Sequence, residues 1–209
     1  MGNAMLNWQA NALSNKQATK QIVKANKLAS KTTSAPSVLT PNSVPSTTKP
    51  STNDISNYNV APNLARYISI PSINVHARVL SVGLTSGGAI STPSSVFDTA
   101  WYNGSSLPGQ PGASLIDGHI SSWTTNGVFY SLNKLKFGDI IQIQKGDDEK
   151  LNYSVVKTIV YNSDNIDMNS VLSPVDPSKS GLNLISCYGD VISGTNEFNK
   201  RIVIYTSLQ

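Results

Sequence analysis

The chain has 209 residues, 39% of them hydrophobic, and a formal charge of +4, enough for one domain of ordinary size plus an extension. No run of about 18 apolar residues occurs, which excludes a membrane-spanning helix within this sequence, and the first 30 residues lack the apolar centre of a secretory signal peptide. Residues 1–64 hold six lysines and one acid, Asp54, whereas residues 65–209 hold ten bases and eleven acids, so the basicity belongs to the extension and no clustered basic face for nucleic acid is formed.

Residues 1–31 carry a thin apolar stripe among lysines, glutamines and asparagines, which predicts a marginal helix or a disordered lead-in. Residues 32–63 are rich in Pro, Ser and Thr, with prolines at 36, 41, 45, 50 and 62. That composition predicts an extended linker with no core of its own. Removing residues 1–63 is therefore expected to leave the remainder folded and active. A folded domain over 64–209 follows.

Tyr67–Ile70 and Ile73–Val79 alternate as strands on either side of Pro71, with Asn74, His76 and Arg78 on the face away from Ile73, Val75 and Val79. His76 accordingly reads as a solvent-face residue. The cluster Pro108-Gly109-Gln110-Pro111-Gly112 turns the chain into an apolar run, Ser114–Ile116, that closes on Asp117-Gly118-His119. Residues 127–135 suit a turn or two of helix. Asp139–Gln144 and Leu151–Tyr161 form a hairpin, and 162–181 a long loop with a helical candidate at Ile166–Leu172. Many short strands and scarce helix predict an all-β fold, a closed barrel rather than an open sheet.

The last two strands hold the chemistry. Leu182-Asn183-Leu184-Ile185-Ser186 ends on Cys187, the single cysteine, and Gly189 permits a sharp exit. Arg201 opens the final strand 14 residues later. One cysteine excludes an internal disulfide and any multi-cysteine metal site, leaving a buried inert thiol or a nucleophile. Thiol acyl transfer needs a thiolate, a proton donor for the leaving amine and a positive or hydrogen-bonding group at the oxyanion. Cys187, His119 and Arg201, each at a strand end, supply those parts. Lys200 is the rival for the cationic role, and periodicity does not separate it from Arg201. A guanidinium fork holds a carbonyl and a neighbouring group together, which favours Arg201.

Taken together, Asn183-Leu184-Ile185-Ser186-Cys187, Gly118-His119 and Lys200-Arg201-Ile202-Val203 resemble the sortases. These carry a strand ending in Thr-Leu-x-Thr-Cys, an upstream Gly-His and an Arg before the last strand. Ile68–Ala77, Ala100-Trp101-Tyr102, Pro108–Ala113 and Gly127–Tyr130 are similar too, so the resemblance covers roughly residues 64–208 in one collinear order. The Trp-Tyr and Pro-Gly-x-Pro-Gly stretches look most like the class E and F housekeeping types. Asn183 and Ser186 depart from the family threonines, and no Asp-Pro-Trp-like lid precedes the domain.

The resemblance implies an eight-stranded barrel and a secreted, membrane-anchored cysteine transpeptidase at the extracellular face of the membrane, with its native anchor absent from this chain. It implies cleavage of a Leu-Pro-x-Thr-Gly-like sorting signal on secreted proteins through a Cys187 thioester, resolved by a peptidoglycan precursor or another amine. His119 would exchange protons with the amines, and Arg201 would hold the substrate backbone or oxyanion. Ser186, Leu184, Ile185 and Ala113 would line the bound substrate. No cofactor, metal or nucleic acid is implied, and a monomer is expected. The rival from another class is a non-enzymatic cell-wall binding module with Cys187 buried and inert. L,D-transpeptidases carry a Ser-His-Gly-Cys run absent here, and papain-like and NlpC-type hydrolases place the cysteine before the histidine.

Overall fold

The structure, a computed structural model, describes residues 44–209; the predicted lead-in over 1–31 and the first part of the linker lie outside the described residues. In chain order come α1 (Thr52–Ser56), β1 (Ala65–Ile70), a 3-10 turn (Pro71–Ile73), β2 (Val75–Val82), β3 (Thr99–Tyr102) and β4 (Ala113–Gly118). A second 3-10 turn (Leu132–Lys134), β5 (Ile140–Lys145), β6 (Lys150–Asn162), α2 (Met168–Val171), β7 (Gly181–Val191) and β8 (Phe198–Leu208) follow. The eight strands close into a barrel in the order β1-β2-β3-β4-β7-β8-β6-β5. Closure leaves no unpaired strand edge, which is how an all-β domain of this size avoids self-association.

Two differences from the sequence reading have local causes. The second strand begins at Val75 rather than Ile73, because Pro71–Ile73 winds into a 3-10 turn that Asn74 ends in the left-handed conformation, φ 54°. β3 is only four residues long, all buried except Tyr102, so it shows no alternation from which a strand could be read. The helix within the long loop is shorter than its candidate span, Met168–Val171.

β4, β7 and β8 are covered on both sides. Ile116, Leu182, Leu184, Ile202 and Ile204 face the barrel interior, where they join Ile68, Phe129, Ile141, Tyr153 and others in the main core. Leu115, Ile185, Val203 and Tyr205 face outward and are capped by Val171 of α2. Strands buried on both faces read as continuous apolar runs, which is why Leu182–Ile185 does not alternate. Asn183 fastens the cap: its Nδ2 donates to the carbonyls of Val171, at 2.8 Å, and Ser173, at 3.0 Å. An amide at that position thus ties the 163–180 connection to the sheet.

Residues 44–63 differ most from the linker reading. Ser51 caps α1 reciprocally with Asp54. The Tyr67 hydroxyl donates to the carbonyl of Ile55, Tyr58 donates to that of Val79 at 2.7 Å, and Arg66 Nε donates to that of Tyr58 at 2.6 Å. Further upstream Ser46 forms a parallel bridge with Ser95. The segment is fastened to the barrel by Tyr and Arg side chains that meet backbone carbonyls and by the backbone of Ser46, contacts that composition does not reveal.

Candidate active site

Cys187 on β7 and Arg201 on β8 are direct cross-strand partners, and Ile185 pairs with Val203 two residues below them. Directly opposed residues share a face, and alternation from Ile185 and Val203 makes it the outer face. Lys200 pairs with Tyr188 instead and belongs to the other side of the strand. β4 lies parallel to β7, with Asp117 in register with Ile185. Asp117 shares the outer face with Leu115, and His119 follows two residues later at the end of the strand.

Ser186, midway along β7, is tied to Gly118 at the end of β4. The Ser186 hydroxyl, 1% exposed, donates to the Gly118 carbonyl at 2.7 Å. The bond thus joins the residue before Cys187 to the residue before His119. Gly118 also permits a close approach: a Cβ there would lie 2.6 Å from the Phe129 ring. A Cβ on Gly127 would lie 2.2 Å from the His119 carbonyl oxygen. His119 is therefore packed against the 127–129 turn, and its carbonyl accepts from the Phe129 amide at 2.9 Å.

The functional groups are held by the backbone. His119 Nε2–H donates to the Pro93 carbonyl at 2.8 Å, which leaves Nδ1 without its proton in the neutral ring. Arg201 Nη1 donates to the carbonyls of Phe198 at 2.9 Å and Lys200 at 3.0 Å, orienting the fork from its own strand. Burial pushes the Cys187 thiol up, Arg201 pulls it down, and Asp117 and Glu197 push it up again. Burial likewise pushes the Asp117 carboxyl up to about 6, against the pull of His119, the Gly118 backbone and Arg201. These mutual influences place the thiol, imidazole, guanidinium and carboxyl in one neighbourhood.

His119 just past the end of β4, Cys187 and Arg201 are thus brought to one face. Cys187 and Arg201 are not, however, at the strand ends expected from the sequence: β7 continues to Val191 and β8 begins at Phe198, because the two strands go on pairing beyond the thiol. The four residues expected to line a substrate are placed differently. Leu184 and Ser186 are buried toward the interior and Ile185 lies under the α2 cap. Ala113 is buried beside Gly181, at the opposite end of β4 and β7 from the thiol. Burial puts all four out of a substrate's reach; Leu184, Ile185 and Ser186 stand behind the site, and Ala113 is remote from it. Two contributors escaped the sequence. Asp117 stands one alternation before His119, so period 2 could have flagged it; the Pro93 carbonyl carries no signal at all.

The Cys187–Arg201 pair, next to the end of β4 that leads to His119, is the candidate site of a thiol-bearing closed barrel. The family description "Sortase domain" matches residues 68–209, and the chain belongs to the sortase family. Solved structures agree in fold. Sortase C-1 from Actinomyces oris is 24% identical, with 93% of this chain and 98% of that one covered and a TM-score of 0.55. A lid mutant of sortase A from Corynebacterium diphtheriae is 23% identical over 75% and 76% of the two chains, TM-score 0.53. Sortase C from Clostridium perfringens, solved with the C-terminal cell wall sorting motif, is 25% identical over 72% and 74%, TM-score 0.50. No curated protein matches the chain. Sortases are cysteine transpeptidases of the cell surface that act at the cell wall, and among the described residues no helix is long and apolar enough to cross a membrane.

Proposed function

We propose that this sortase cleaves a Leu-Pro-x-Thr-Gly-like sorting signal through a thioester on Cys187 and passes the acyl group to a cell-wall amine. The observation that carries this reading is the direct pairing of Cys187 with Arg201 on the face that β4 extends to His119. Because burial favours the protonated thiol, acylation needs a base, and Nδ1 of His119 is the acceptor available. The Sγ–H proton moves to the imidazole as sulfur attacks the scissile carbonyl, and Arg201 steadies the oxyanion. The imidazolium then protonates the leaving amine. In the second half an incoming amine gives its proton to His119, attacks the thioester and restores the thiol. The sorting motif bound to the clostridial relative supports a substrate of that class.

The proposal includes secretion, attachment to the membrane, and a division into lead-in (1–31), linker (32–63), its later part fastened to the barrel, and catalytic barrel (64–209). The motifs shared with class E and F sortases favour a housekeeping role. Incubation with a fluorogenic Leu-Pro-x-Thr-Gly peptide and an oligoglycine amine tests the reaction. Mass spectrometry should find the acyl-enzyme on the peptide containing Cys187 and the transpeptidation product in solution. A Cys187 that stays unmodified and resists alkylation until the protein is denatured would favour the inert binding module.

A further inference from the structure

The ring of His119 is oriented by a carbonyl on a short loop, and that loop is held from outside by the segment that precedes the barrel. Pro93 is buried and accepts from His119 Nε2. Directly after it, the Ser94 carbonyl accepts from the Ser46 amide at 2.7 Å, and the Val96 amide donates to the Ser46 carbonyl at 3.0 Å. The barrel's own hold on residues 94–96 is one backbone bond, from the Val128 amide to the Val96 carbonyl at 2.8 Å. Beyond it Arg78 clasps Asp98 with two hydrogen bonds of 2.8 and 2.7 Å. That pair fixes the far end of the loop, five residues from Pro93. The near end is held before Pro93 by the Ser91 amide, which donates to the Gly83 carbonyl at 2.9 Å, and directly after Pro93 by Ser46.

The strap is registered rather than draped. Downstream, α1 and Tyr58 fasten it to β1 and β2. Between strap and barrel lies a cleft of about 260 Å³, lined in part by Lys49, Ile55, Phe97 and Tyr130. Residues 44–50 are therefore backed by open space over part of their length, and Ser46 is their main backbone grip on the loop.

We propose that Ser46 is a positioning residue: through its two backbone hydrogen bonds to Ser94 and Val96 it sets the Pro93 carbonyl, and through that carbonyl the tautomer and orientation of His119. The inference rests on His119 being the proton carrier of the proposed reaction. It follows that residues 44–50 act on the reaction at a distance, through the backbone of Ser46 and the Pro93 loop rather than through a side chain. Displacing a reacting group by about 1 Å costs on the order of a hundredfold in rate, so a small shift of the Pro93 carbonyl is enough to be read in kcat.

The test uses the full-length chain. Ser46→Pro removes the amide that donates to Ser94, whereas Ser46→Ala keeps both backbone bonds. With a sorting-signal peptide, Ser46→Pro should lower kcat by roughly tenfold to a hundredfold while KM stays within about twofold; Ser46→Ala should match the wild type. In ¹⁵N-edited spectra of the two imidazoles, His119 should lose its Nε2–H tautomer signature in Ser46→Pro, with His76 as the internal reference. Should Ser46→Pro fail to fold, deletion of residues 45–49 is subjected to the same two readouts. Unchanged His119 signals, at whatever rate, would overturn the inference, as would full kcat in a variant whose strap bonds are lost. His119→Ala separates the two readings: if it is active, the proposed proton carrier is wrong, and the ring signals still decide whether Ser46 orients it.

Discussion

The two faces of β4, β7 and β8 use the same strands for opposite ends. Toward the interior, Ile116, Leu182, Leu184, Ile202 and Ile204 continue one apolar surface, and polar side chains such as Ser186 and Thr206 are satisfied by backbone carbonyls. Toward the outside, Leu115, Ile185, Val203 and Tyr205 are apolar only as far as the α2 cap reaches. Past it come Asp117, His119, Cys187 and Arg201, half-buried and electrostatically coupled. The interior makes the frame stiff, and the outer face ends where stiffness is needed to present a thiol. The proposed site lies at the margin of a hydrophobic patch, where burial perturbs a titratable group that is still half-exposed.

Substitutions on the two faces should separate activity from stability. Cys187→Ala is expected to abolish peptide cleavage, a loss of more than about a thousandfold, while its melting curve stays near that of the wild type. Wild-type turnover by this variant would eliminate the thiol mechanism. Next in size is Arg201→Lys, with a loss on the order of a hundredfold, as for removal of an oxyanion donor. Lys200→Ala, paired with Tyr188 rather than with the thiol, should change turnover little. Steady-state kinetics of both, with circular dichroism as a folding control, would reverse the assignment if Lys200→Ala were dead and Arg201→Lys active.

On the interior face, Leu184→Ala removes a fully buried side chain and should cost about 2–5 kcal/mol of stability, read by urea unfolding. The fraction that remains folded should still react. A small stability change there would mean that the frame is less tightly packed than its burial indicates.

A subtler effect concerns Asp117. Its folded carboxyl titrates at about 6, above the 3.8 of an ordinary aspartate, so the folded state binds the proton more tightly than the unfolded chain. Stability is then greatest below the ordinary value and falls as pH rises through about 6, where a buried carboxylate must be carried. Asp117→Asn avoids that charge and should raise the melting temperature by roughly 2–6 °C at pH 8, with no gain near pH 4. Because Asp117 also pushes the thiol up, the same variant should be alkylated faster at a given pH. An equal gain at both pH values would show that the carboxyl is not perturbed by burial. Smallest of all is His76→Ala. His76 is exposed and bonded through Nδ1 to the Ser69 hydroxyl at 2.8 Å, and its loss should leave cleavage within about twofold of wild type.

The sequence by itself determined the barrel class and brought forward Cys187, His119 and Arg201, because each borders an apolar run. From it Cys187 and Arg201 read as strand ends, whereas β7 continues to Val191 and β8 begins at Phe198. It also named β4, β7 and β8 by their dense apolar content, which follows from burial on both faces. What it left open was pairing. Whether Arg201 or Lys200 faces the thiol depends on the β7–β8 register, and one residue of slip exchanges them. Likewise Leu184 and Ile185 carry similar side chains but lie on opposite faces, and Ala113, near Gly118 in sequence, stands at the far end of its strand. Only the tertiary structure fastened residues 44–63 to the barrel and set the Pro93 carbonyl against His119. Each of those contacts has a backbone carbonyl or amide as at least one partner, which every residue type supplies alike, so the sequence does not show which carbonyl Tyr58, Arg66, Tyr67 or His119 will meet.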